Sequence, residues 1–556
     1  MPRPGGRDAG DLIRAGSARC PWHPLSPCVI LGPCSRWRGA RSGAHFAIGE
    51  QARAPFPRDA AHVPWGVPVP RRQPDQKIVV AIVYVCGMLM NSLDSTIVNV
   101  ALATLSRQFG VSPAAIDAVV IGYLVSLAVF IPASGWLGDR WGTKRIFLLA
   151  LALFSGASAL CGLAQSFGQL VVFRVLQGAG GGLLTPVGMA MLYRTFPPRE
   201  RVGVARILMF ATILGPASGP VLGGLLIEKL SWRWAFYVNI PVGLAALLFG
   251  LAFLREHREP AAGRFDLPGF LLAGGGLALV MYALSAGPAR GWASPAILGC
   301  AVAGALVLAA FVAVERRTPE PMVQLRLLGN RLFRTTLLVS LFASAGFTGV
   351  LFLVPLFLQE ARGASPLASG LTTFPEALGV VVSTQMVARL YPRVGPRRLM
   401  AGGLAGVAAA MALLGLIRLD SSPWLVRVLM FLVGVGMAYV FLPNQAASLA
   451  TISRAATGRA TTLSSVQRQL GSALGVALLS GVLAAIGPTR QDAAGAVQPH
   501  LAAYRAAFLA AAALALAGAA VALGVPDRDA AATMRPELER GATSGAPQEA
   551  PALNAD

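Results

Sequence analysis

The chain has 556 residues, of which 55% are hydrophobic and only 13% are charged, and its formal net charge is +22. So large an apolar fraction excludes an ordinary soluble domain and indicates a membrane protein. Nucleic-acid binding does not explain the positive charge, because the basic residues lie in short loops between apolar stretches and in the N-terminal tail, not on one continuous face.

Residues 1–75 are rich in Arg, Pro and Gly and contain no apolar run long enough to cross a membrane. We expect a disordered cytoplasmic tail here. The alternative is that translation of the native protein starts further downstream. Cys20, Cys28 and Cys34, with His23 nearby, fit no common zinc-ligand spacing, and the other cysteines lie in separate apolar stretches. We therefore predict no metal site, no disulfide framework and no cofactor, and the alternative is a zinc site on the cysteines of the tail.

From Lys77 onward, apolar stretches of about twenty residues recur, and each is long enough to cross roughly 30 Å of hydrocarbon as a helix. They predict an all-α membrane protein with about fourteen transmembrane helices, with approximate limits 78–103, 114–138, 146–165, 168–192, 203–228, 235–254, 267–286, 294–314, 333–358, 367–390, 398–417, 423–449, 461–486 and 502–524. Alternate loops are rich in Lys and Arg, which predicts a cell-membrane protein with both termini in the cytoplasm. Residues 526–556 are expected to form a disordered cytoplasmic tail.

A repeat divides these helices into two halves. The segment SGWLGDRWGTKR, which ends at Arg145, recurs at a fixed offset as VARLYPRVGPRR, which ends at Arg398. Internal repeats packed around a central site are typical of secondary transporters. We therefore predict a six-helix half at 76–256, two inserted transmembrane helices at 257–320 and a second six-helix half at 321–525.

The loop GWLGDRWGTKR combines glycines, an acid and several basic residues. Gly135 and Gly142 permit a tight turn and a close approach of helices. Asp139 is unexpected in a plain basic loop, and we expect it to pair with an arginine of a neighbouring loop and to latch the two halves together. The basic residues are Arg140, Lys144 and Arg145. The alternative for them is an ordinary topology-setting loop.

An acid and an arginine lie inside the predicted membrane helices. Asp94 is about seventeen residues into the first helix, counted from the cytoplasm, and Arg174 is about six residues into the fourth, counted from the outer surface. At 1.5 Å per residue, both therefore lie at similar depth, towards the outer half of the membrane. Each is unfavourable alone in hydrocarbon, so we expect them to pair. With Asn91 and Gln177 beside them, they predict a proton- or substrate-binding site. The alternatives are a structural Asp94 and an Arg174 that reaches the headgroups.

Two further ionisable residues lie in the C-terminal half. Glu376 is near the middle of the predicted span 367–390, without an evident basic partner. It predicts either a second proton or cation site or an acid that is kept neutral. Arg468 is one to two turns into the span 461–486, close enough to the end of the helix to snorkel to the headgroups.

The stretch GPASGPVLGG lies inside the fifth predicted helix. Small residues let helices pack closely in lipid, and proline adds a local bend. The residues that define the pattern are Gly215, Gly219, Pro220, Gly223 and Gly224. The alternative is unspecific small-residue packing.

Together these segments resemble the major facilitator superfamily, and within it the fourteen-span drug:proton antiporters of the EmrB/QacA type. The loop from Gly135 resembles motif A, RVLQG resembles motif B, and GPASGPVLGG resembles motif C of antiporters. LDSTIVNVAL and SWRWAFYVNIPVG resemble signatures of the first and sixth helices. Ala103 departs from the proline that is usual in the family, and Pro392 stands where a second motif A would have an acid.

The resemblance implies a major facilitator fold, with two pseudo-symmetric six-helix halves and two extra central helices. It implies that Asp139 and its basic neighbours stabilise one access state and that Arg174 couples proton binding to movement. Asp94 would meet the proton or substrate in the cavity, and the face of Gly215 would seal the outer side against the other half.

We therefore expect a monomeric secondary transporter, not an enzyme, that exports small amphipathic compounds, cationic ones among them, in exchange for protons. Its partners would be a small-molecule substrate, protons and the lipid bilayer, with no nucleic acid. The first alternative function is export of an endogenous metabolite or lipid on the same fold. The second alternative is that the protein is a membrane sensor or scaffold that does not transport.

Overall fold

A computed structural model describes residues 74–259, 263–491 and 497–534. Most of the predicted N-terminal tail, with the hypothesis about the start of translation, and most of the C-terminal tail fall outside these residues. Residues 526–534, which we expected to be disordered, are ordered instead. The hydroxyl groups of Tyr391 and Thr533 lie 2.7 Å apart, and Asp527 accepts a hydrogen bond of 2.8 Å from the N–H of Arg397.

The described chain is almost entirely helical. Its helices are α1 (Gln76–Phe109), α2 (Pro113–Ile116), α3 (Ala118–Trp141), α4 (Thr143–Leu163), α5 (Phe167–Thr195), α6 (Arg201–Lys229), α7 (Trp234–Tyr237), α8 (Asn239–Phe253), α9 (Leu267–Arg290), α10 (Pro295–Glu315), α11 (Arg331–Leu356), α12 (Pro366–Thr373), α13 (Pro375–Val394), α14 (Pro396–Leu414), α15 (Pro423–Ala447), α16 (Thr457–Ile486), α17 (Leu501–Ala522) and α18 (Ala531–Met534). Between α16 and α17, strands β1 (Thr489–Gln491) and β2 (Val497–Pro499) pair antiparallel, with Arg490 opposite Gln498.

Twelve segments of the described chain are helical, long and apolar enough to cross a membrane. Helices also cover the two remaining predicted spans, 203–228 as α6 and 367–390 as α12 and α13. The second of these spans is not one continuous helix, because α12 ends at Thr373 and α13 begins at Pro375. A proline ring clashes with the preceding helical turn, so a new helix starts at that residue. The count of fourteen membrane-spanning helices stays a prediction.

The helices bury two large apolar cores. One lies mainly among α1, α3, α4, α5 and α8, and includes Phe147 and Phe154. The other lies mainly among α11 and α13 to α17, and includes Tyr391 and Phe508. Helix α9 packs against α10 and also contacts α3 and α16, while α6 packs against α13 and α15. Contacts of α9 and α6 thus reach helices of both predicted halves.

The sequence repeat corresponds to a repeat in structure. Gly142 and Gly395 have φ angles of 105° and 83°, in the left-handed region that favours glycine, and each joins two long helices by a short turn. Glu256, which follows α8, accepts hydrogen bonds from N–H groups of the first turn of α4. Asp527, which follows α17, does the same for α14. Each half therefore ends in a carboxylate that caps its own third long helix, where the helix dipole favours negative charge.

Candidate functional site

A buried polar cluster joins α1 and α5. The Arg174 Nη1 atom donates to Asp94 Oδ2 at 2.6 Å and to Gln177 Oε1 at 2.7 Å. Gln177 Nε2 donates to Asp94 Oδ1 at 2.7 Å, which closes a ring of three side chains. Asp94 and Gln177 are 0% exposed and Arg174 is 1% exposed. The structure thus brings together the acid and the arginine that their depth in the sequence led us to pair.

Two members of the cluster were missed by the sequence analysis. Asn239, the first residue of α8, donates to Asp94 Oδ1 at 3.3 Å and to Ser158 Oγ at 3.1 Å. The Ser158 hydroxyl donates to the carbonyl oxygen of Phe236 at 2.9 Å. Asn239 lies within SWRWAFYVNIPVG, so an amide in an otherwise apolar helix was the available sign. Its partner could not be known without the packing of α8 on α1.

Aromatic side chains complete the surroundings of Arg174. The Tyr123 ring lies 4.2 Å from the guanidinium carbon, and the Phe236 ring lies 5.9 Å from it. The Tyr123 hydroxyl donates to Asn91 Oδ1, so Asn91 joins the cluster only through Tyr123. Because the charges of Asp94 and Arg174 offset each other inside this shell, adding a proton to Asp94 would leave an unpaired cation in a buried site.

A cavity of about 840 Å³ lies between the halves, toward the end of the molecule opposite the Asp139 loop. We call it the outer cavity. Ser92, Ser95 and Thr96 of α1 line it, but Asp94 does not. Asp94 points away from it, toward α5 and α8. The implied contact between Asp94 and a substrate in the cavity is therefore not made in this conformation.

The inserted helix α9 forms part of the wall of the outer cavity, which the sequence did not indicate. Five of its residues, from Met281 to Ala289, line the cavity together with residues of α1, α3, α11 and α16. The lining combines hydroxyl and amide groups with leucine and phenylalanine side chains, and Asp117 is its one acid among the described residues. Such a lining suits compounds with both apolar and polar parts.

At the opposite end, which we call the loop end, Asp139 pairs with Arg194 at 2.7 Å. Arg194 is at the end of α5, so this ion pair lies within the N-terminal half. We had expected Asp139 to pair across the two halves, and this ion pair does not do so. The link to the other half is the N-terminus of α16. A Cβ atom built on Gly458 would lie 2.6 Å from Asp139 Oδ1, which shows how closely the carboxylate approaches that helix end.

Other contacts close the loop end between the halves. The Ser134 and Thr462 hydroxyl groups lie 3.1 Å apart, and the Tyr193 hydroxyl donates to the carbonyl oxygen of Gln445 at 2.6 Å. A Cβ atom on Gly135 would lie 2.9 Å from the Gly458 carbonyl oxygen, so α3 and α16 touch through backbone. Helices this close leave no space for a ligand to pass between them at that point.

The basic residues of the loop have separate roles. Arg140 and Arg145 are exposed, and the Arg145 side chain approaches Glu256 at 3.7 Å. The Lys144 ammonium donates to the carbonyl oxygen of Leu251 at 2.9 Å. These contacts tie the α3–α4 turn to the end of α8. They stay within the N-terminal half.

The structure does not bring Glu376 to the Asp94 cluster. Glu376 lies in the first turn of α13, is 7% exposed, and its Oε1 atom has no hydrogen-bond partner among the described residues. Its backbone packs against α15, where a Cβ atom on Gly434 would lie 1.9 Å from the Glu376 carbonyl oxygen. Glu376 also does not line the outer cavity. It is a separate buried carboxyl group in the other half.

Comparison with known proteins decides the family. Residues 84–476 and 336–548 match the sequence model of the Major Facilitator Superfamily. The chain belongs to this superfamily. It is 35% identical over 405 residues to the multidrug resistance protein B homolog of Mycobacterium tuberculosis, covering 72% of this chain and 75% of that protein. It is 32% identical over 415 residues to the putative multidrug resistance protein MdtD of Pectobacterium carotovorum, covering 75% and 89% of the two chains.

Solved structures support the facilitator fold. The human organic anion transporter MFSD10 aligns with a TM-score of 0.60 at 19% identity, covering 81% of this chain and 100% of that one. The proton:xylose symporter XylE aligns with a TM-score of 0.58 at 16% identity, covering 82% and 98%. The predicted fold class is thereby confirmed. As a member of the superfamily, the chain is a multi-pass membrane transporter of small molecules and not an enzyme.

Three of the four glycines of the stretch GPASGPVLGG lie against α1. A Cβ atom would lie 2.3 Å from the Ser92 Cβ atom if built on Gly215, and 2.0 Å from the Thr96 Oγ1 atom if built on Gly219. A Cβ atom on Gly223 would make only ordinary contact with Ile97, at 3.4 Å, and no atom lies within 4 Å of a Cβ atom on Gly224. The side chain of Pro220 lies outside the described residues. This face therefore joins two helices of one half, instead of sealing against the other half as we had expected.

We expect Gly215→Ala to destabilise the protein by roughly 1 to 3 kcal/mol, because the added methyl group overpacks a contact that the short Ser92 side chain cannot vacate. Gly224→Ala, on the same helix, is the matched control and should be neutral or slightly stabilising. Thermal unfolding in detergent, followed by size-exclusion chromatography, compares the two. Equal stability of the two variants would contradict the close packing of Gly215.

Proposed function

We propose that the protein exports small amphipathic compounds, cationic ones among them, in exchange for protons by alternating access. The observation that carries this proposal is the fully buried Asp94–Arg174 pair, which links α1 and α5 beside the outer cavity. Ionisable groups inside membrane helices are unfavourable unless they serve transport or a proton pathway. The names of the two bacterial relatives, both multidrug resistance proteins, support drug export as the direction.

The proposed cycle alternates between two ionic states of the cluster. The Lys- and Arg-rich loops assign the loop end to the cytoplasm, so the outer cavity faces the outside. A proton that reaches Asp94 from that side neutralises it and releases Arg174 from its partner. The resulting unpaired cation favours the state in which the loop end opens. There the proton leaves, the pair reforms, and a substrate from the cytoplasm is carried outward.

The energy available from one proton is sufficient for useful export. One charge moving with the membrane potential provides about 2.3 kcal/mol per 100 mV. One pH unit adds about 1.4 kcal/mol. Their sum corresponds to roughly a 500-fold concentration ratio of a neutral substrate for each exchanged proton.

We assign the protein to the cell membrane with both termini in the cytoplasm and expect a monomer. Residues 76–256 and 321–525 would be the two halves that rock about the cavity, and residues 257–320 would be the insertion that contributes α9 to the wall of the cavity. Glu376 would be a second proton or cation site.

Transport by purified protein in proteoliposomes tests the proposal. With a cationic dye as substrate, an imposed pH gradient should drive accumulation by the wild type. Asp94→Asn should reduce gradient-driven accumulation by about tenfold or more, because a neutral amide cannot carry the proton. Glu228→Gln is the matched control, since it removes an acid whose side chain is 76% exposed at the end of α6 and which lines neither cavity, so it should leave gradient-driven accumulation intact.

Two results would contradict the proposed function. The first is dye movement by the wild type at the same rate with and without a pH gradient. The second is gradient-driven accumulation by Asp94→Asn equal to that of Glu228→Gln.

A further inference from the structure

A second, smaller cavity lies between the outer cavity and the closed loop end. Its volume is about 210 Å³, and residues of α1, α5, α6, α11, α15 and α16 line it. We call it the inner chamber. Serine, threonine and amide side chains form much of its wall, and Tyr84, Phe347 and Phe441 supply aromatic surface. Neither Asp94 nor Glu376 reaches it.

The inner chamber contains an uncompensated positive charge. Arg468 of α16 lines it, instead of extending to the headgroups as its position in the sequence allowed. No aspartate or glutamate is among the described lining residues, and no described carboxylate lies within ion-pair distance of Arg468. The ionisable groups that interact electrostatically with Arg468 include the phenols of Tyr84 and Tyr193. A cation in such a cavity favours an anionic ligand.

Unpaired polar atoms lie beside this charge. The Oε1 and Nε2 atoms of Gln467 and the Oδ1 atom of Asn444 are buried, and they have no hydrogen-bond partner among the described residues. Both residues line the inner chamber. Buried polar side chains are normally hydrogen-bonded, so unpaired ones that line a cavity leave donors and acceptors open to a bound ligand or to water. The Gln467 amide and the Arg468 guanidinium together provide several N–H donors.

The inner chamber adjoins the outer cavity. Phe347, Thr348 and Ser472 line both, and the Thr348 hydroxyl donates to Ser472 Oγ at 3.1 Å where the two meet. Asp117 lines the outer cavity but not the inner chamber, so it lies on the path at the outer cavity. One elongated molecule can therefore meet a basic site at its inner end, apolar walls along its length and an acid at its outer end.

We propose that the inner chamber binds the carboxylate, or an equivalent anionic group, of a zwitterionic amphipathic substrate whose aromatic body and cationic group occupy the outer cavity. Arg468 would hold the anion by paired N–H donors, and Gln467 would add another donor. This assignment rests on the proposed export function. It narrows the class of exported substrates to zwitterions, because a site for simple cations would not place an unpaired arginine in the chamber.

Binding of rhodamine B, which is a zwitterion, and of its cationic ester separates the charge of the ligand from its shape. Fluorescence anisotropy with the full-length protein in detergent measures both affinities. The wild type should bind both dyes. Arg468→Gln should weaken the binding of rhodamine B by about tenfold or more and change the affinity for the ester by less than about twofold, as expected for one charge-assisted contact. Arg468→Lys should recover part of the loss.

Arg427→Gln is the matched control, because Arg427 stacks on Trp424 near the opposite end of the molecule, away from the chamber. It should leave the ratio of the two affinities unchanged. Equal weakening of both dyes by Arg468→Gln, or no weakening of either, would overturn the proposal. If Arg468→Gln does not fold, Gln467→Leu tests the same ratio, with a smaller preferential loss of rhodamine B expected and an unchanged ratio contradicting the assignment.

Free anions provide the second arm of the test. Replacing gluconate with chloride in the buffer should weaken the binding of rhodamine B but not that of the ester, because chloride competes for Arg468. Tighter binding of both dyes in chloride would show that the inner chamber holds an inorganic anion and would overturn the assignment to the substrate. Gradient-driven transport of the ester by the wild type keeps the two proposals apart, because it requires proton exchange but no anionic group at Arg468.

Discussion

Replacing Arg174 with glutamine is expected to lower the free energy of unfolding by roughly 3 to 5 kcal/mol, the range for removing one partner of a buried ion pair. Arg174 and Asp94 are 1% and 0% exposed, so the remaining carboxylate would stay buried without its counter-charge. Gln177 and Asn239 still donate to it, but neutral donors do not balance a charge. Unfolding of purified protein in a lipid-like detergent measures the change.

The double variant Asp94→Asn with Arg174→Gln should be more stable than Arg174→Gln alone, because no unpaired charge remains. Lys77→Gln provides the control, since Lys77 pairs with Glu200 at 2.6 Å but is 38% exposed. Breaking an exposed pair of this kind changes stability by about 1 kcal/mol or less. If Arg174→Gln were no more destabilising than Lys77→Gln, the Asp94 cluster would not be the buried charge pair described above.

Gly135→Ala is expected to disfavour closure of the loop end by roughly 1 to 3 kcal/mol, which corresponds to a shift of about 5- to 150-fold between the two access states. The added Cβ atom would lie 2.6 Å from Thr462 Oγ1 and 2.9 Å from the Gly458 carbonyl oxygen. Because the second of these atoms belongs to the backbone, α3 and α16 must separate to accept the methyl group. We expect transport to fall in parallel, since the cycle requires this contact to form.

Spin labels on Arg140 and Arg454, both exposed at the loop end, report the separation of the halves in a background without the native cysteines. Gly135→Ala should shift the distribution of distances toward longer values. Gly138→Ala is the matched control, one turn further along α3, where the nearest atom would lie 3.7 Å from the new Cβ atom. Identical distributions for the two variants would show that the contact at Gly135 does not set the closed state.

The Asp94 cluster and the contact of Gly135 with α16 would serve different steps of one transport cycle. The Asp94 cluster is the part that can gain and lose a proton, and the contact of Gly135 with α16 is the part that opens and closes. An Arg174 variant that folds but whose transport no longer depends on the pH gradient would isolate the first function. A Gly135 variant whose transport still depends on the gradient but whose loop end stays open would isolate the second. Asp139 lies next to both α16 and Gly135, so its ion pair with Arg194 is well placed to respond to closure.

Much of this architecture could be predicted from the sequence because it depends on local properties of the chain. Apolar stretches long enough for a bilayer and the shared repeat around Gly142 and Gly395 indicate the helices and their duplication without any knowledge of packing. The pairing of Asp94 with Arg174 also followed from the sequence, since 1.5 Å per residue places both at one depth and neither is tolerable alone.

Tertiary structure alone decided the other contacts between side chains of different helices. The partner of Asp139 is Arg194 of the same half, Asn239 completes the Asp94 cluster, and Arg468 faces a chamber instead of the headgroups. Rotation of a helix about its axis determines these contacts, and in a membrane helix that is apolar on all sides the sequence pattern leaves this rotation open. The packing of small residues such as Gly215 against particular neighbours sets it, and those neighbours are distant in the chain.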